Sequence, residues 1–180
     1  MEIVRYKIEG LLLIKPKVFS DDRGYFFESW NRELFAKSGI QSDFVQDNQS
    51  LSEQGVLRGL HFQNPPFAQA KLVRVIKGAV RDVAVDIRPN SPTYGKYEMA
   101  ELNEENKAMF FIPEGFAHGF LTLLPGTIFS YKCSQGYNKA SEGCLKWDDP
   151  DLAINWNTTD PIISSKDQEG EVFCSFKSLF

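Results

Sequence analysis

A succession of short β-branched and aromatic runs, cut by Gly and Pro, limits most strictly how this chain can fold. Residues 71–76, 79–87, 97–102, 108–112, 116–124 and 127–133 each form such a run, and Asn103, Pro113 and Pro125-Gly126 stand in the gaps. Val, Ile, Phe and Tyr suit a pleated, half-buried surface, and the punctuating residues end each run too early for a helix. No helical pattern alternates with them, which argues against a parallel sheet built from βαβ units. The prediction is an all-β sandwich, jelly roll or barrel. Lys77-Gly78, between two of the runs, reads as the turn of a hairpin.

The first half is less regular. Residues 11–19 are apolar but hold Pro16, which cannot donate to a ladder, so an edge strand is expected. Asp21-Asp22-Arg23-Gly24 reads as a turn and 25–28 as an extended piece. Asn31 is placed to cap a short helix over 32–37, ended by Gly39. Residues 45–50 alternate weakly as a strand, Glu53-Gln54-Gly55 turns, and 88–92 form a loop. From Asp148 the chain is loop-rich and carries Trp156; it is predicted to lie as a flap on the barrel, with one helical turn after Asp160-Pro161. There are no repeats or linkers, so 1–180 is expected to be one domain with a few short peripheral helices.

Hydrophobic residues at 42% and charged residues at 24% are ordinary for a soluble protein with a sizeable core. The 15 Phe fit a β-rich core or a subunit interface. A net charge of −4 excludes a generally basic nucleic-acid surface, so an anionic ligand must be held by a local group of cations. The N-terminus is charged where a signal peptide would be apolar, and the apolar stretch 11–14 is too short to cross a bilayer. Cys133, Cys144 and Cys174 have no CxxC spacing and read as free thiols, which makes the cytoplasm the expected location.

Chemistry concentrates in Gly55-Val56-Leu57-Arg58-Gly59-Leu60-His61-Phe62-Gln63 and the following Gln69-Ala70-Lys71-Leu72-Val73. Arg58 and Lys71 can hold an anion or an oxygen that gains negative charge, and His61 is suited to moving a proton near neutral pH. Lys71 lies ten residues beyond His61, and two adjacent strands would bring them together. The other histidine, His118, sits in Pro113-Glu114-Gly115-Phe116-Ala117-His118, the P-x-G-x-x-H form of the second cupin motif. Metal-binding cupins also need a first segment with two His and a Glu, but here His61-x-Gln63 replaces His-x-His. Two histidines and an amide do not complete a metal shell, so a metal-free cupin barrel is expected. Tyr131 and Tyr137, six apart, would share a face of one regular strand. No Gly-x-Gly-x-x-Gly follows a strand, so no nicotinamide cofactor is indicated.

Several segments in order resemble one family. They are Asp22-Arg23-Gly24-Tyr25-Phe26, Gln46-Asp47-Asn48-x-Ser50, Leu57 to Gln63, Gln69 to Val73, Asp82-x-x-x-Asp86-x-Arg88, Pro113 to Phe120, Tyr131-Lys132-Cys133 and Ser165-Lys166-Asp167. The chain is similar to the dTDP-4-dehydrorhamnose 3,5-epimerases over nearly its whole length. The resemblance implies a cupin-type double-stranded β-helix (jelly roll) and a cytoplasmic, cofactor-independent, metal-free isomerase that acts as a homodimer. It implies a dTDP-4-keto-6-deoxyhexose substrate in dTDP-L-rhamnose biosynthesis, and neither nucleic-acid nor membrane partners. It assigns His61 as general base, Asp167 as its orienting partner, Tyr131 as the acid on the opposite face, and Lys71 as the cation on the enolate oxygen. Arg23, Glu28, Gln46, Asn48, Arg58, His118, Glu142 and Lys166, with Lys71, would bind the nucleotide-sugar, and Tyr137 would stack on the thymine. Arg23 and Glu28 would reach into the partner's site.

The residue types suit the reaction. A ketone at C4 acidifies the C–H bonds at C3 and C5, and inversion needs a base on one face and an acid on the other. The same chemistry would serve an epimerase of C3 or C5 alone, or a keto isomerase. A jelly roll that only binds nucleotide-sugars would be expected to lose His61, Tyr131 or Asp167, and all three are present.

Overall fold

The computed structural model describes residues 1–180. The strands are β1 (Glu2–Arg5), β2 (Leu12–Lys15), β3 (Phe19–Asp21), β4 (Gly24–Phe26), β5 (Gln46–Ser52), β6 (Val56–Gln63), β7 (Lys71–Lys77) and β8 (Ala79–Asp86), then β9 (Tyr97–Asn103), β10 (Met109–Ile112), β11 (Phe116–Thr122), β12 (Thr127–Cys133), β13 (Glu142–Cys144) and β14 (Ile162–Ile163). Two short α-helices, α1 (Arg32–Lys37) and α2 (Ser165–Gln168), lie outside the sheets. One sheet has the order β1-β2-β10-β7-β12-β5 and the other β13-β6-β11-β8-β9, with β14 added parallel to β6. Apart from that addition and an isolated parallel bridge between Leu145 and Glu171, every pairing is antiparallel. The two sheets face each other as a cupin-like jelly roll.

The alternation of side chains along each strand builds the core. Val73, Val75, Phe110, Ile112 and Phe129 of the first sheet meet Val80, Ala84, Leu102, Phe116 and Phe120 of the second. Val83 and Val85 of β8 point the other way, where the tail covers them with Leu145, Leu152 and Trp156. β8 is therefore buried on both faces, which is why residues 79–87 read as an almost unbroken apolar run. The tail is the predicted flap, and its helical turn is α2, capped by the Ser164 hydroxyl accepting from the Asp167 amide at 3.2 Å. Helix α1 has its predicted bounds: the Asn31 side chain accepts from the Leu34 amide at 3.1 Å, and Gly39 follows at φ +93°. Its Phe35 packs on the outer face of the first sheet with Leu12, Ile14 and Phe111.

Three local expectations are overturned. β7 and β8 do not form a hairpin: β7 pairs with β10 and β12, and β8 with β9 and β11. Gly78 instead carries the chain from one sheet to the other, at φ +84°, with no room for a Cβ beside Thr127. The burial of both runs between opposite sheets outweighs the local turn signal. Second, the run 11–19 is divided. β2 stops before Pro16, and it is not at the edge, because the charged N-terminal residues form β1 alongside it. Third, β12 ends at Cys133, so Tyr137 lies in the following loop rather than on the strand of Tyr131. No helix is long and apolar enough to cross a membrane. The three cysteines are unpaired.

Asp86, at the end of β8, anchors the loop that follows. Its buried carboxylate accepts from Arg88 Nε at 2.8 Å and Nη2 at 2.7 Å, from Ser91 Oγ at 2.6 Å and from Thr93 Oγ1 at 2.7 Å. Burial pushes this carboxyl up, but the hydrogen bonds from Arg88, Ser91 and Thr93 outweigh it and hold it below the usual range. The stability it contributes is complete above the unfolded carboxyl value of about 3.9 and is lost as pH falls through the lower folded value. Asp86→Ala is expected to destabilise the fold by about 2–3 kcal/mol at neutral pH, read by urea unfolding, with a smaller difference in acid.

Candidate active site

The functional side chains gather between the sheets at one end of the jelly roll, and a break in regular pairing makes this possible. Arg58 and His61 are three residues apart on β6 and in a regular strand would face opposite ways. His118 of β11 lies opposite His61, and Phe120 lies opposite Arg58, so three steps on β6 match two on β11. The extra residue turns Arg58 and His61 into the same cavity. Gly59 is required at this crossing: it has φ +126°, and a Cβ there would meet Gly119 Cα at 2.5 Å.

Two connected lobes share His61, Lys71 and Tyr131 in their walls. The inner lobe, about 170 Å³, adds Arg58, His118 and the stacked rings of Phe120 and Phe129, 4.1 Å apart. The outer lobe, about 130 Å³, adds Gln46, Asn48, Tyr137 and Glu142. Larger depressions lie on the β3–β4 hairpin and near Pro113, but neither contains a histidine.

His61 Nε2 and Asp167 Oδ1 are 2.6 Å apart, a contact made across 106 residues of chain. This leaves Nδ1 as the nitrogen free to act on a substrate. Burial alone would raise the Asp167 carboxyl, but the hydrogen bond and charge of His61, with the Gly59 amide and Ser164, hold it below the usual carboxylate range. Lys71 and Tyr131 come from the facing sheet. Cys133 of β12 pairs with Lys71 of β7, so Tyr131, two residues away, shares its inward face. Lys71 therefore meets His61 across the sandwich and not from an adjacent strand, which corrects the expectation from their spacing. Lys71 is 8% exposed, and its ammonium donates to the His61 carbonyl oxygen at 3.4 Å. Burial pushes Lys71 down from the ordinary lysine value, against the pull of Cys133, Asp82 and Glu142. Burial pushes the Tyr131 phenol up, aided by Cys133 and opposed by Arg58, so the phenol keeps its proton at neutral pH.

Other site residues are already tied together. Tyr137 donates its hydroxyl hydrogen to Glu142 at 2.9 Å, and Lys166 pairs with the same carboxylate at 2.6 Å. Gln46 Nε2 donates to Asn48 Oδ1 at 3.0 Å, and Gln46 Oε1 accepts from the Tyr137 amide at 2.9 Å. Arg58 is steadied by Ser52 Oγ at 3.2 Å. Gln63, in place of a cupin histidine, is consumed by the backbone: Nε2 donates to Phe67 O at 2.7 Å, and Oε1 accepts from the Asn138 amide at 2.8 Å. Arg23 and Glu28 do not join this group within one chain. Arg23, in the β3–β4 turn, pairs with Asp21 at 2.6 Å, and Glu28 accepts from Asn31 at 3.0 Å.

Two residues near the site are given no role by the sequence motifs. Asp82, fully buried, holds His118 Nε2 with both carboxylate oxygens at 3.0 Å. It falls in the Asp82-x-x-x-Asp86-x-Arg88 segment and stands out there as an acid within the apolar run 79–87. Cys144 lies opposite His61 in the β13–β6 ladder. Nothing local marks that thiol, since it reaches the site through pairing alone.

Residues 5–175 match the family model described as dTDP-4-dehydrorhamnose 3,5-epimerase. The chain belongs to this family. It is 49% identical over 168 residues to the dTDP-4-dehydrorhamnose 3,5-epimerase of Methanothermobacter thermautotrophicus, covering 92% of this chain and 90% of the relative. The enzyme of the same name from Escherichia coli K12 is 48% identical over 170 residues, covering 93% and 92%. Among solved structures, dTDP-6-deoxy-D-glucose-3,5-epimerase of Legionella pneumophila in complex with dTDP-4-keto-L-rhamnose matches with a TM-score of 0.94 and 43% identity, covering 98% of this chain and 94% of that one. The epimerase family and the jelly roll that the motifs implied are thus both found.

Proposed function

We propose that this chain epimerises dTDP-4-dehydro-6-deoxy-D-glucose at C3 and C5, giving dTDP-4-dehydro-L-rhamnose for dTDP-L-rhamnose biosynthesis, with no metal or redox cofactor. The observation that carries the mechanism is the placement of His61 on one sheet, held by Asp167 of α2, and of Tyr131 with Lys71 on the other sheet, around one cavity. His61 Nδ1 removes the proton beside the C4 ketone, and Asp167 fixes the tautomer and stabilises the imidazolium that forms. The enolate oxygen gains negative charge next to Lys71. A buried ammonium with no carboxylate in direct contact gains most at that moment, so it favours the transition state over the ground state. Tyr131, still protonated, returns a proton from the facing sheet. Exchange with solvent then takes the proton from His61 and restores that of Tyr131, and turning the sugar within the site repeats the sequence at the second carbon.

Arg58 and Lys166 hold the diphosphate, Gln46, Asn48, His118 and Glu142 position the remainder, and Tyr137, 58% exposed, offers its ring to the thymine. We infer a homodimer in which Arg23 and Glu28 complete the neighbouring site. Support comes from the β3–β4 arm, whose Phe19, Tyr25 and Phe26 are 54%, 58% and 65% exposed. Residues 1–180 are read as one catalytic domain. The unpaired cysteines favour the cytoplasm.

Turnover in D2O followed by NMR tests the reaction: deuterium is expected at both C3 and C5. Incorporation at one carbon alone would convert the reading to a mono-epimerase, and none at all would leave only a binding protein. Arg23→Ala tests the shared site. It is expected to weaken dTDP binding about tenfold or more while leaving each chain folded. Unchanged affinity, or a monomer with full activity, would remove the arm from the site.

A further inference from the structure

Cys144 Sγ, a nitrogen of His61 and a carboxylate oxygen of Asp167 all lie within 4.8 Å of one another. The mechanism uses His61 and Asp167 and gives the thiol no part. The geometry points to a binding site for a thiophilic divalent cation of the zinc type, whose occupancy silences the enzyme. Sulfur, imidazole nitrogen and carboxylate oxygen are the three ligand types zinc accepts, and three protein ligands with one open position form a common zinc site. Each ligand comes from a different element, β13, β6 and α2, so the fold alone assembles them.

The resting site carries no thiolate. Burial, with the charge of Asp167, pushes the Cys144 thiol up to about 12, and its Sγ contacts the Leu145 carbonyl oxygen at 3.5 Å. The cation must therefore displace the thiol proton, which leaves to solvent as the metal–sulfur bond forms. At His61 the metal takes the Nε2 lone pair. The proton formerly shared with Asp167 moves to Nδ1, and Asp167 passes from the imidazole to the metal. Nδ1 then carries a proton and cannot accept one from substrate. Inhibition follows from this change of tautomer even while the cavity stays open. This consequence rests on His61 being the base, as proposed above.

The test separates binding from turnover. Metal-free protein is titrated with Co2+ alone and followed by absorption, and activity is measured against Zn2+ in parallel. One equivalent of cobalt is expected to give a sulfur-to-cobalt charge-transfer band with tetrahedral visible bands, and zinc to inhibit over the same range. Cys144→Ser is expected to keep metal-free turnover, to lose the band although Cys133 and Cys174 remain, and to require about 10–100-fold more zinc for inhibition. Cys144→Ala serves if the serine variant folds poorly. A band that persists in these variants, no band in the unaltered protein, or equal zinc sensitivity in both would overturn the site. The band without any metal-free turnover would instead sink the proposed epimerase activity and leave the cation site standing.

Discussion

His61→Ala is expected to lower turnover by about 10⁴-fold, at the upper end for loss of a general base, while dTDP affinity changes by no more than about threefold. On the scale of 1.36 kcal/mol per decade, that loss is about 5.5 kcal/mol of transition-state stabilisation. The asymmetry follows from where His61 sits. Its Nε2 is held by Asp167 at 2.6 Å, which leaves Nδ1 free, and the residue lines the cavity. The cations assigned to the diphosphate, Arg58 and Lys166, have their own anchors in Ser52 and Glu142. Removing the imidazole should leave those anchors undisturbed. The measurement is kcat for the keto-sugar beside dTDP affinity by calorimetry. Retention of more than about a tenth of the activity would take the base away from His61, and parallel loss of dTDP binding would make His61 a structural residue.

Tyr131→Phe should separate the two halves of the reaction. With the phenol gone, His61 still removes the proton and can return one to the same face. Recovered substrate should therefore acquire deuterium from D2O with its configuration retained, while epimerised product falls by about 10²–10⁴-fold. The change is small in volume, and the ring can keep its contact with Phe129, whose centroid is 5.9 Å away. A folding defect is not expected to mask the effect. Loss of exchange and inversion together would mean that the phenol acts in the first proton transfer. Normal inversion would remove it from the acid role.

Much of the molecule is legible in its amino-acid order. Alternating runs such as Thr127–Cys133 mark both a strand and its inward face, because side-chain direction along an extended chain depends on neighbours in sequence. Asn31 and Gly39 bound α1 for the same local reason. The family resemblance also names side chains that line the cavity: His61, Lys71, Tyr131, His118, Arg58, Tyr137 and Glu142. The β7–β8 turn misleads because Lys77-Gly78 has hairpin chemistry, yet each flanking strand is paired on both sides in a separate sheet. Arg23 and Glu28 stay apart from the cavity within one chain.

Composition and local periodicity suffice for the strand-rich class, and the ordered motifs for the resemblance to the family and the types of group available for proton transfer. They do not reach the pairing of the strands, the match of three steps on β6 to two on β11, or the arrival of Asp167 and Cys144 at one imidazole from different elements; those came from the folded chain. The physical reason is that ladder partners are chosen by which long-range arrangement buries both faces of each sheet and satisfies its backbone hydrogen bonds. That balance joins residues more than 80 positions apart, as at His61, where Cys144 and Asp167 stand 83 and 106 residues away.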